Sequence, residues 1–339
     1  MSTMTIRRIV TLIPDASYRS MITAETDERL DALGDVQRAT GDRQSVTQQA
    51  PELLRGAAVL LTGWGTPALQ EAWLDRAPDL RLICHCAGSV RGMIPPSVFA
   101  RGIALSHAAP IIADAVAEFC IALELLWLRG IQQIDTGLKA TGDWSAMKRQ
   151  GLEGHLLAAQ TVGLVGSGYV AQRHIRLLRA FGPRIRVADP FLTEEHAQEL
   201  GVERASMEQV FGECSVIAVH VPKTPETYHL VGADLLRRIQ PGAVLIQTSR
   251  SWVMDQEALL CELATGRFFA AIDVFDHEPQ PADSPFYRFD NVIVTPHIAG
   301  GTKESYAHQG LAMAEEIERF RRGEALRYQI QPDRFDQMA

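Results

Sequence analysis

Three polar side chains in the second half of the chain have types suited to acid–base chemistry on an anion. Arg250, Glu278 and His297 each come within three residues of the end of an apolar run that reads as a strand. Because the carboxyl ends of parallel strands share one edge of a sheet, where ligands bind, we expect these side chains to lie close together. Taken singly each is ordinary: such an arginine is usually a solvated loop residue, and such a histidine more often belongs to a core.

This combination of side chains suits the reduction of a 2-keto acid by a nicotinamide hydride. A histidine can supply the proton for the carbonyl oxygen near neutral pH. A carboxylate beside it fixes the ring and favours its protonated form. A guanidinium polarises the carbonyl and holds the substrate carboxylate through paired donors.

A glycine-rich turn connects a strand pattern to a helix pattern in the middle of the chain. Gly166 and Gly168 fall in the pattern G-x-G-x-x-A, with Ala171 as an accepted third position. Gly166 would permit a tight turn, and Gly168 would let the backbone approach a pyrophosphate. Tyr169 and Val170 would then offer helix-start amides to the phosphate charge. The alternative is a strand-to-helix turn that binds no ligand.

Asp189 ends the next strand pattern, 21 positions after Gly168. A carboxylate there accepts hydrogen bonds from an adenosine ribose and repels the additional phosphate of NADP, so we expect NAD as the cofactor. The alternative is an aspartate that caps a helix or closes a turn.

Apolar runs alternate with amphipathic helix patterns almost throughout, which predicts parallel sheets covered on both faces. Four strands are expected in the first part of the chain, at 8–14, 57–62, 80–86 and 103–106. Six more are expected in the second part, at 162–165, 185–188, 216–221, 243–248, 270–275 and 292–295. Between the two series, one long helix is expected from Ala113 to Leu138, apolar on nearly all sides and suited to burial against a second subunit.

The composition excludes several classes of protein. The 339 residues favour about two domains. A formal net charge of -8 does not suit a nucleic-acid or membrane-surface partner, and no apolar run reaches the length of a membrane span, so a cytoplasmic protein is expected. The five cysteines are too scattered for a disulfide framework, and Cys84 and Cys86 are better explained as buried small residues than as metal ligands.

Five segments together resemble the signatures of the D-2-hydroxyacid dehydrogenase family, in order and spacing, over roughly residues 80 to 325. They are Thr161–Ala171, His220–Thr227, Thr248–Asp255, Asp273–Pro279 and Thr295–Gly300. The resemblance implies an α/β protein with two doubly wound parallel-sheet domains. A Rossmann NAD-binding domain, 113–304, would be inserted in a flavodoxin-like substrate-binding domain made of 1–112 and 305–339. It also implies a homodimer.

The resemblance assigns roles to individual positions. Arg250 would bind and polarise a small anionic 2-hydroxy or 2-keto acid, Glu278 would orient His297, and His297 would be the proton donor. The backbone of Ser89 and Val90 would meet the substrate carboxylate. NAD contacts are implied for Gly166, Gly168, Tyr169, Val170, Asp189, Val221, Thr248, Ser249, Arg250, Asp273, His297, Ala299 and Gly300.

Some positions depart from the family pattern or keep an alternative. Gln247 stands where asparagine is usual and Ser251 where glycine is usual. Arg91 is an additional cation that either contacts an anion or is a solvated loop residue. Asp273 either accepts a hydrogen bond from the nicotinamide amide or caps a loop.

The alternatives for the whole chain are a formate- or phosphite-type dehydrogenase and an NAD(H)-sensing protein that binds a partner. Both would share the same scaffold, and the sensor would keep even the three catalytic-type residues. The basic patches or partner grooves expected of the sensor are not evident in the sequence.

Overall fold

The computed structural model describes residues 6–149 and 153–337. The chain divides into two compact units, of which unit 1 is Met1–Ile112 with Gly301–Ala339 and unit 2 is Ala113–Gly300. The return to unit 1 thus comes at residue 301, four positions before the boundary expected from the sequence.

Unit 1 is built on a parallel sheet. In the described part of the chain it has five strands in the order β2-β1-β3-β4-β5, and each pair is parallel. This is the flavodoxin-like order. The strands are β1 (Arg8–Thr11), β2 (Asp35–Arg38), β3 (Val59–Gly63), β4 (Leu82–Cys86) and β5 (Ala104–His107).

The helices of unit 1 cover both faces of this sheet. They are α1 (Asp15–Met21), α2 (Ala24–Asp31), α3 (Arg43–Leu53), α4 (Glu71–Leu74), α5 (Ser97–Ala100) and the C-terminal α14 (Lys303–Arg322). β2 and α3 were not predicted from the sequence. β2 is an edge strand with one apolar residue in four, and α3 contains Pro51, so neither has a strong apolar period.

Unit 2 is built on a second parallel sheet. Within the described residues it has seven strands in the order β12-β11-β10-β9-β6-β7-β8. The strand order reverses between β6 and β9, which is the switch point where ligands bind in such sheets. The strands are β6 (Thr161–Val165), β7 (Arg184–Ala188), β8 (Glu203–Arg204), β9 (Val216–Val219), β10 (Val244–Gln247), β11 (Phe269–Ile272) and β12 (Val292–Val294). β8 was not predicted from the sequence, because both of its residues are exposed and polar and give no apolar pattern.

The predicted single helix at 113–138 is wrong, because the structure has two helices there. α6 (Ala109–Leu128) contains the boundary between the units, and α7 (Ile131–Thr141) follows it. Gly130 separates them with φ of 60°, a left-handed conformation that stops a helix and that glycine adopts at little cost. The other helices of unit 2 are α8 (Trp144–Arg149), α9 (Tyr169–Leu178), α10 (Glu194–Leu200), α11 (Met207–Glu213), α12 (Ala233–Leu236) and α13 (Gln256–Leu263).

The central strands of unit 2 are buried on both faces and position the loops that follow them. Ile217, Leu245 and Phe268 are fully buried in one core with α11, α12 and α13. The loops after β6, β7, β9, β10, β11 and β12 therefore start from a fixed edge of the sheet. Among the described helices, none is both long enough and apolar enough to cross a bilayer.

Candidate active site

The glycine-rich turn after β6 has the geometry that a dinucleotide phosphate requires. Gly166 has φ of 96°, and a Cβ placed on it would lie 2.9 Å from the carbonyl oxygen of His220. A Cβ on Gly168 would meet nothing within 4 Å, so the backbone is open to a ligand there. Gly168 is also the N-cap of α9 and provides no side chain to occupy the helix-start amides. The turn therefore fits the pyrophosphate of a bound dinucleotide.

Asp189 follows β7 and fastens this turn. Its Oδ2 accepts hydrogen bonds from the backbone N–H and the hydroxyl of Ser167, both at 2.7 Å. Its Oδ1 accepts one from the N–H of Phe191 at 2.8 Å. The carboxylate thus makes the contacts expected of an aspartate that closes a turn. It also lies at the position expected for a ribose-binding residue. A carboxylate oxygen has more than one acceptor site, so the two roles are compatible.

Arg250 lies in a loop that a buried glutamine holds. Gln247 is 1% exposed, and its Nε2 donates to the carbonyl oxygen of Arg250 at 3.0 Å. Its Oε1 accepts a hydrogen bond from the hydroxyl of Ser249 at 2.9 Å. The Arg250 guanidinium donates to the carbonyl of Ser249 at 2.6 Å. Gln247 was noted in the sequence only as a departure from the family, and its role in holding this loop was missed.

The Arg250 guanidinium is electrostatically coupled to Glu278. Burial lowers the pKa of Arg250, and the negative charge of Glu278 opposes that shift. A guanidinium stays charged throughout the physiological range. Arg250 follows β10 and Glu278 follows β11, and these two strands are parallel neighbours, so the cation and the carboxylate lie at the same edge of the sheet.

His297 and Glu278 form a direct pair. The Nδ1 of His297 lies 2.8 Å from Oε2 of Glu278, and Oε1 of Glu278 accepts the N–H of Phe275 at 2.9 Å. An ionised carboxylate only accepts hydrogen bonds, so Nδ1 of the imidazole carries the proton of this contact. Nε2 is therefore the nitrogen that can exchange a proton with a substrate. The structure thus brings together the three residues that the sequence singled out.

Asp273 fixes the loop that carries His297. This aspartate is 1% exposed, and its Oδ1 accepts hydrogen bonds from the hydroxyl of Thr295 at 2.6 Å and the N–H of Ile298 at 2.9 Å. Its Oδ2 accepts one from the N–H of Ala299 at 3.0 Å. These bonds hold His297 at φ of 54°, a left-handed conformation that costs on the order of 1 kcal/mol for a residue with a side chain. The contacts of Asp273 are those expected of a residue that caps a loop, which is one of the two alternatives for this position.

The remaining predicted NAD-contact positions lie in the same set of loops. Tyr169 and Val170 open α9, and Val221 follows β9. Thr248 and Ser249 follow β10, and Ala299 and Gly300 close the loop after β12.

The residues expected to meet the substrate carboxylate lie in unit 1, in the loop after β4. Ser89 is partly exposed and follows β4 by three residues. The side chain of Val90 is completely buried in the unit 1 core. The Arg91 guanidinium donates to the carbonyl of Asp336 at 2.8 Å, which ties this loop to the C-terminal segment.

Comparison with known proteins places the chain in a family. Residues 121–299 match the family model described as D-isomer specific 2-hydroxyacid dehydrogenase, NAD binding domain. The chain belongs to this family. The predicted family, fold class, enzyme class and NAD cofactor are therefore confirmed. It is an NAD-dependent oxidoreductase of hydroxy and keto acids.

The curated relatives include two kinds of enzyme. A glyoxylate reductase from Korarchaeum cryptofilum is 32% identical over 252 residues, which are 74% of this chain and 76% of the relative. A D-3-phosphoglycerate dehydrogenase from Methanocaldococcus jannaschii is 31% identical over 297 residues, 87% of this chain but 55% of the relative. The chain thus spans only about half the length of that second relative.

The fold also matches solved structures along nearly the whole chain. A phosphoglycerate oxidoreductase from Rhizobium etli has a TM-score of 0.79 and 26% identity, over 96% of this chain and 98% of that one. A D-mandelate dehydrogenase from Rhodotorula graminis has a TM-score of 0.80 at 21% identity and supports the fold alone.

Proposed function

We propose that this dehydrogenase interconverts a small 2-keto acid and the corresponding 2-hydroxy acid, with Arg250, Glu278 and His297 as its catalytic residues. The observation that carries the proposal is the convergence of a guanidinium, a carboxylate and an imidazole at the carboxyl edge of the unit 2 sheet.

Each residue has one role in the proposed reduction. Arg250 binds the substrate carboxylate and polarises its carbonyl. His297 donates the proton of Nε2 to the carbonyl oxygen, and Glu278 holds the ring through Nδ1 so that Nε2 faces the substrate. NADH, when bound, supplies the hydride for the carbonyl carbon. In the oxidation, His297 accepts the proton from the hydroxyl group.

The NAD-binding contacts are proposed for the loops at the switch point of unit 2. Gly166, Gly168 and the amides of Tyr169 and Val170 would hold the pyrophosphate, and Asp189 the ribose. The residues after these in the chain would line the nicotinamide end; they are Val221, Thr248, Ser249, Arg250, Asp273, His297, Ala299 and Gly300. The three hydrogen bonds of Asp273 favour a positioning role for it over direct contact with the nicotinamide.

The substrate-binding role of unit 1 is part of the same proposal. The backbone amides of Ser89 and Val90 would bind the substrate carboxylate. The buried side chain of Val90 anchors that loop in the core and would hold these amides in place. The bond of Arg91 to Asp336 supports an anchoring role for Arg91 rather than an anion contact. The substrate and NAD domains would follow the division 1–112 with 305–339, and 113–304.

The oligomeric state and the cellular location are also part of the proposal. Ile131, Trp144 and Leu156 are large apolar side chains exposed by 54%, 70% and 68% within one short stretch of unit 2. Such exposure in one segment favours burial in a homodimer. The acidic surface and the absence of a membrane-spanning helix among the described residues are compatible with the cytoplasmic location expected from the sequence.

Turnover of the purified protein tests the function. NADH oxidation should be followed with a panel of 2-keto acids that includes glyoxylate, hydroxypyruvate and phosphohydroxypyruvate. Activity above background on any of them supports the proposal. Tight NADH binding without turnover on the panel would favour the NAD(H)-sensing alternative. Activity on formate or phosphite in the oxidative direction, with none on hydroxy acids, would favour the other alternative.

A further inference from the structure

A buried polar cluster in unit 2 lies apart from the proposed catalytic residues. Cys120 and Glu124 are one turn apart on α6, His174 lies on α9, and His220 follows β9. The side chains of Glu124 and His174 are both 0% exposed. Nδ1 of His174 lies 3.0 Å from Nε2 of His220. One ring nitrogen of each histidine and the sulfur of Cys120 all lie within 4.8 Å of one another.

The cluster does not satisfy its own polar atoms. Nε2 of His174 lies 2.9 Å from Oε1 of Glu124, but the contact lacks the direction of a hydrogen bond. Among the described residues, neither oxygen of Glu124 has a hydrogen-bond partner, and His174 is its one salt-bridge contact. A buried carboxylate in this state is costly unless a positive charge compensates for it.

We propose that Cys120, His174 and His220 bind one divalent cation of the zinc class. A thiolate and two imidazole nitrogens are the ligand types that zinc prefers, and close convergence on one point is the arrangement that a tetrahedral ion requires. The three ligands leave one tetrahedral position for a water molecule. Binding displaces the Cys120 proton to solvent, and the thiolate sulfur forms the bond to the metal.

The charges of the cluster balance around such an ion. The two positive charges of the cation are matched by the Cys120 thiolate and the Glu124 carboxylate, while both histidines bind as neutral ligands.

Glu124 completes the site as an outer partner. It lies at Nε2 of His174, while Nδ1 of the same ring faces His220. In metal sites the second ring nitrogen of a histidine commonly donates to a carboxylate, which fixes the tautomer and strengthens the ligand. The 2.9 Å contact has the distance of such a bond but not its direction, so we expect metal binding to align it. The metal-free alternative is a relay in which His220 Nε2–H donates to Nδ1 of His174, and it leaves the Glu124 charge uncompensated.

The site would join the helices to loops of the proposed NAD site. The sulfur of Cys120 lies 3.5 Å from the hydroxyl of Thr248, and His220 directly precedes Val221. A bound cation would therefore fix α6, α9 and the loop after β9 relative to one another. The inference does not depend on which keto acid the protein reduces.

Metal analysis of the full-length protein tests the proposal. The wild-type protein and the variants Cys120→Ser and His174→Val should be refolded with zinc, freed of excess metal and analysed for zinc content. Cys214→Ser is the matched control, since Cys214 is a fully buried cysteine of the same unit outside the cluster. We expect about one zinc per chain in the wild type and the control, and a loss of most of it in both cluster variants.

Cobalt gives a second readout, which reports a cysteine ligand directly. Refolding with Co²⁺ should give the wild type a thiolate-to-cobalt absorption band, which Cys120→Ser lacks and Cys214→Ser retains. Glu124→Gln should keep the band but weaken zinc affinity by roughly 10- to 100-fold. A wild type without the band, or zinc contents that are equal in the wild type and a folded Cys120→Ser, would overturn the proposal.

Discussion

The proton-donating nitrogen of the proposed site is defined by a single contact of its ring. Because Glu278 engages Nδ1 of His297, only Nε2 remains for the substrate. The carboxylate is itself held by the N–H of Phe275, so the pair is fixed at both ends. The protonation chemistry at this site is thus set by residue-to-residue contacts within two loops.

The first prediction concerns the two members of this pair. His297→Ala should lower kcat by roughly 10²- to 10⁴-fold with NADH affinity largely retained, because it removes the proton donor. Glu278→Gln should lower kcat by roughly 100-fold, because an amide also offers a donor to Nδ1 and no longer specifies the ring tautomer. Steady-state kinetics and NADH titration measure both effects.

The double variant separates a shared role from two independent ones. If Glu278 acts only through His297, the kcat of the double variant should equal that of His297→Ala alone. A further drop of the size seen for Glu278→Gln would contradict the positioning role. Normal turnover of His297→Ala would refute the catalytic assignment as a whole.

The second prediction concerns two buried histidines of unit 1. Burial, with a contribution from the charge of His107, lowers the pKa of His85 from 6.5 to about 3, and burial lowers that of His107 to about 4. Between these values and 6.5 the unfolded chain binds more protons than the folded one. The free energy of unfolding is therefore highest above pH 6.5 and falls as the pH drops towards 3.

His85→Asn should remove part of this acid sensitivity while its amide keeps a hydrogen bond to the hydroxyl of Thr62, which now lies 2.8 Å from Nδ1. From about pH 7.5 to about pH 5, the variant should lose about 2 kcal/mol less stability than the wild type. Urea unfolding at the two pH values measures the difference, with the exposed His196→Asn as control. Equal losses in wild type and His85→Asn would show that His85 does not drive the pH dependence.

At the scale of secondary-structure elements, the strand ends were the most predictable part of the molecule. The apolar runs before Arg250, Glu278 and His297 are long enough to predict strands of a parallel sheet, and parallel strands place their carboxyl ends on one edge. The glycine spacing likewise predicted the turn between β6 and α9. These features depend on residues that are close together in the chain, so a single sequence is enough to predict them.

Other elements depend on tertiary contacts that leave little local signal. β2 pairs along an edge of the sheet with a mixed sequence, and its position is set by pairing with β1. The role of Gln247 in positioning the site was also missed, because it acts through a backbone carbonyl and a serine hydroxyl of the following loop, whereas the loop cap by Asp273 was one of two alternatives. A buried polar residue at the end of an apolar strand was the available signal for Gln247. Gly130 was a readable stop signal within the predicted long helix.

The third prediction separates two glycines of the same turn. Gly166→Ala should destabilise the fold by about 1–3 kcal/mol, because its φ is positive and the new Cβ would collide with the His220 carbonyl. In Gly168→Ala the new Cβ would meet no atom within 4 Å, and the φ of residue 168 is ordinary. The free energy of unfolding of this variant should therefore stay near that of the wild type. The same change should still weaken NADH binding, because the methyl group would occupy the place of the pyrophosphate.

Thermal unfolding with and without NADH tests both variants. Ligand that binds only the folded state at about 100 times its Kd stabilises by about 2.7 kcal/mol. Gly168→Ala should unfold like the wild type without NADH and gain much less from it. If Gly168→Ala retained the full NADH-dependent shift in Tm, the assignment of this turn to the pyrophosphate would be contradicted.

At the scale of the whole molecule, the two units are each organised around their own parallel sheet, and the chain passes between them at Ile112 and Gly301. Unit 2 contains the proposed chemistry and also three exposed large apolar side chains, those of Ile131, Trp144 and Leu156. A monomer would leave these side chains in water. The proposed homodimer removes that cost by burying them.

The fourth prediction tests this assembly. Trp144→Glu should shift the protein from dimer to monomer, because a charge in the centre of an apolar contact must be desolvated without a partner. Phe181→Glu is the matched control, since Phe181 is an exposed aromatic residue of the same unit that lies between α9 and β7, outside residues 131–156. Light scattering coupled to size exclusion, over a range of protein concentrations, measures the mass of each.

The control distinguishes a specific interface from general surface hydrophobicity. If both variants became monomeric, the effect would come from added charge rather than from a contact at Trp144. If neither changed the mass of a dimeric wild type, the interface would lie elsewhere on the surface. NADH affinity should remain normal in both variants, because neither side chain belongs to the proposed cofactor contacts. A monomeric Trp144→Glu with normal NADH affinity would therefore show that assembly and cofactor binding are separable properties of unit 2.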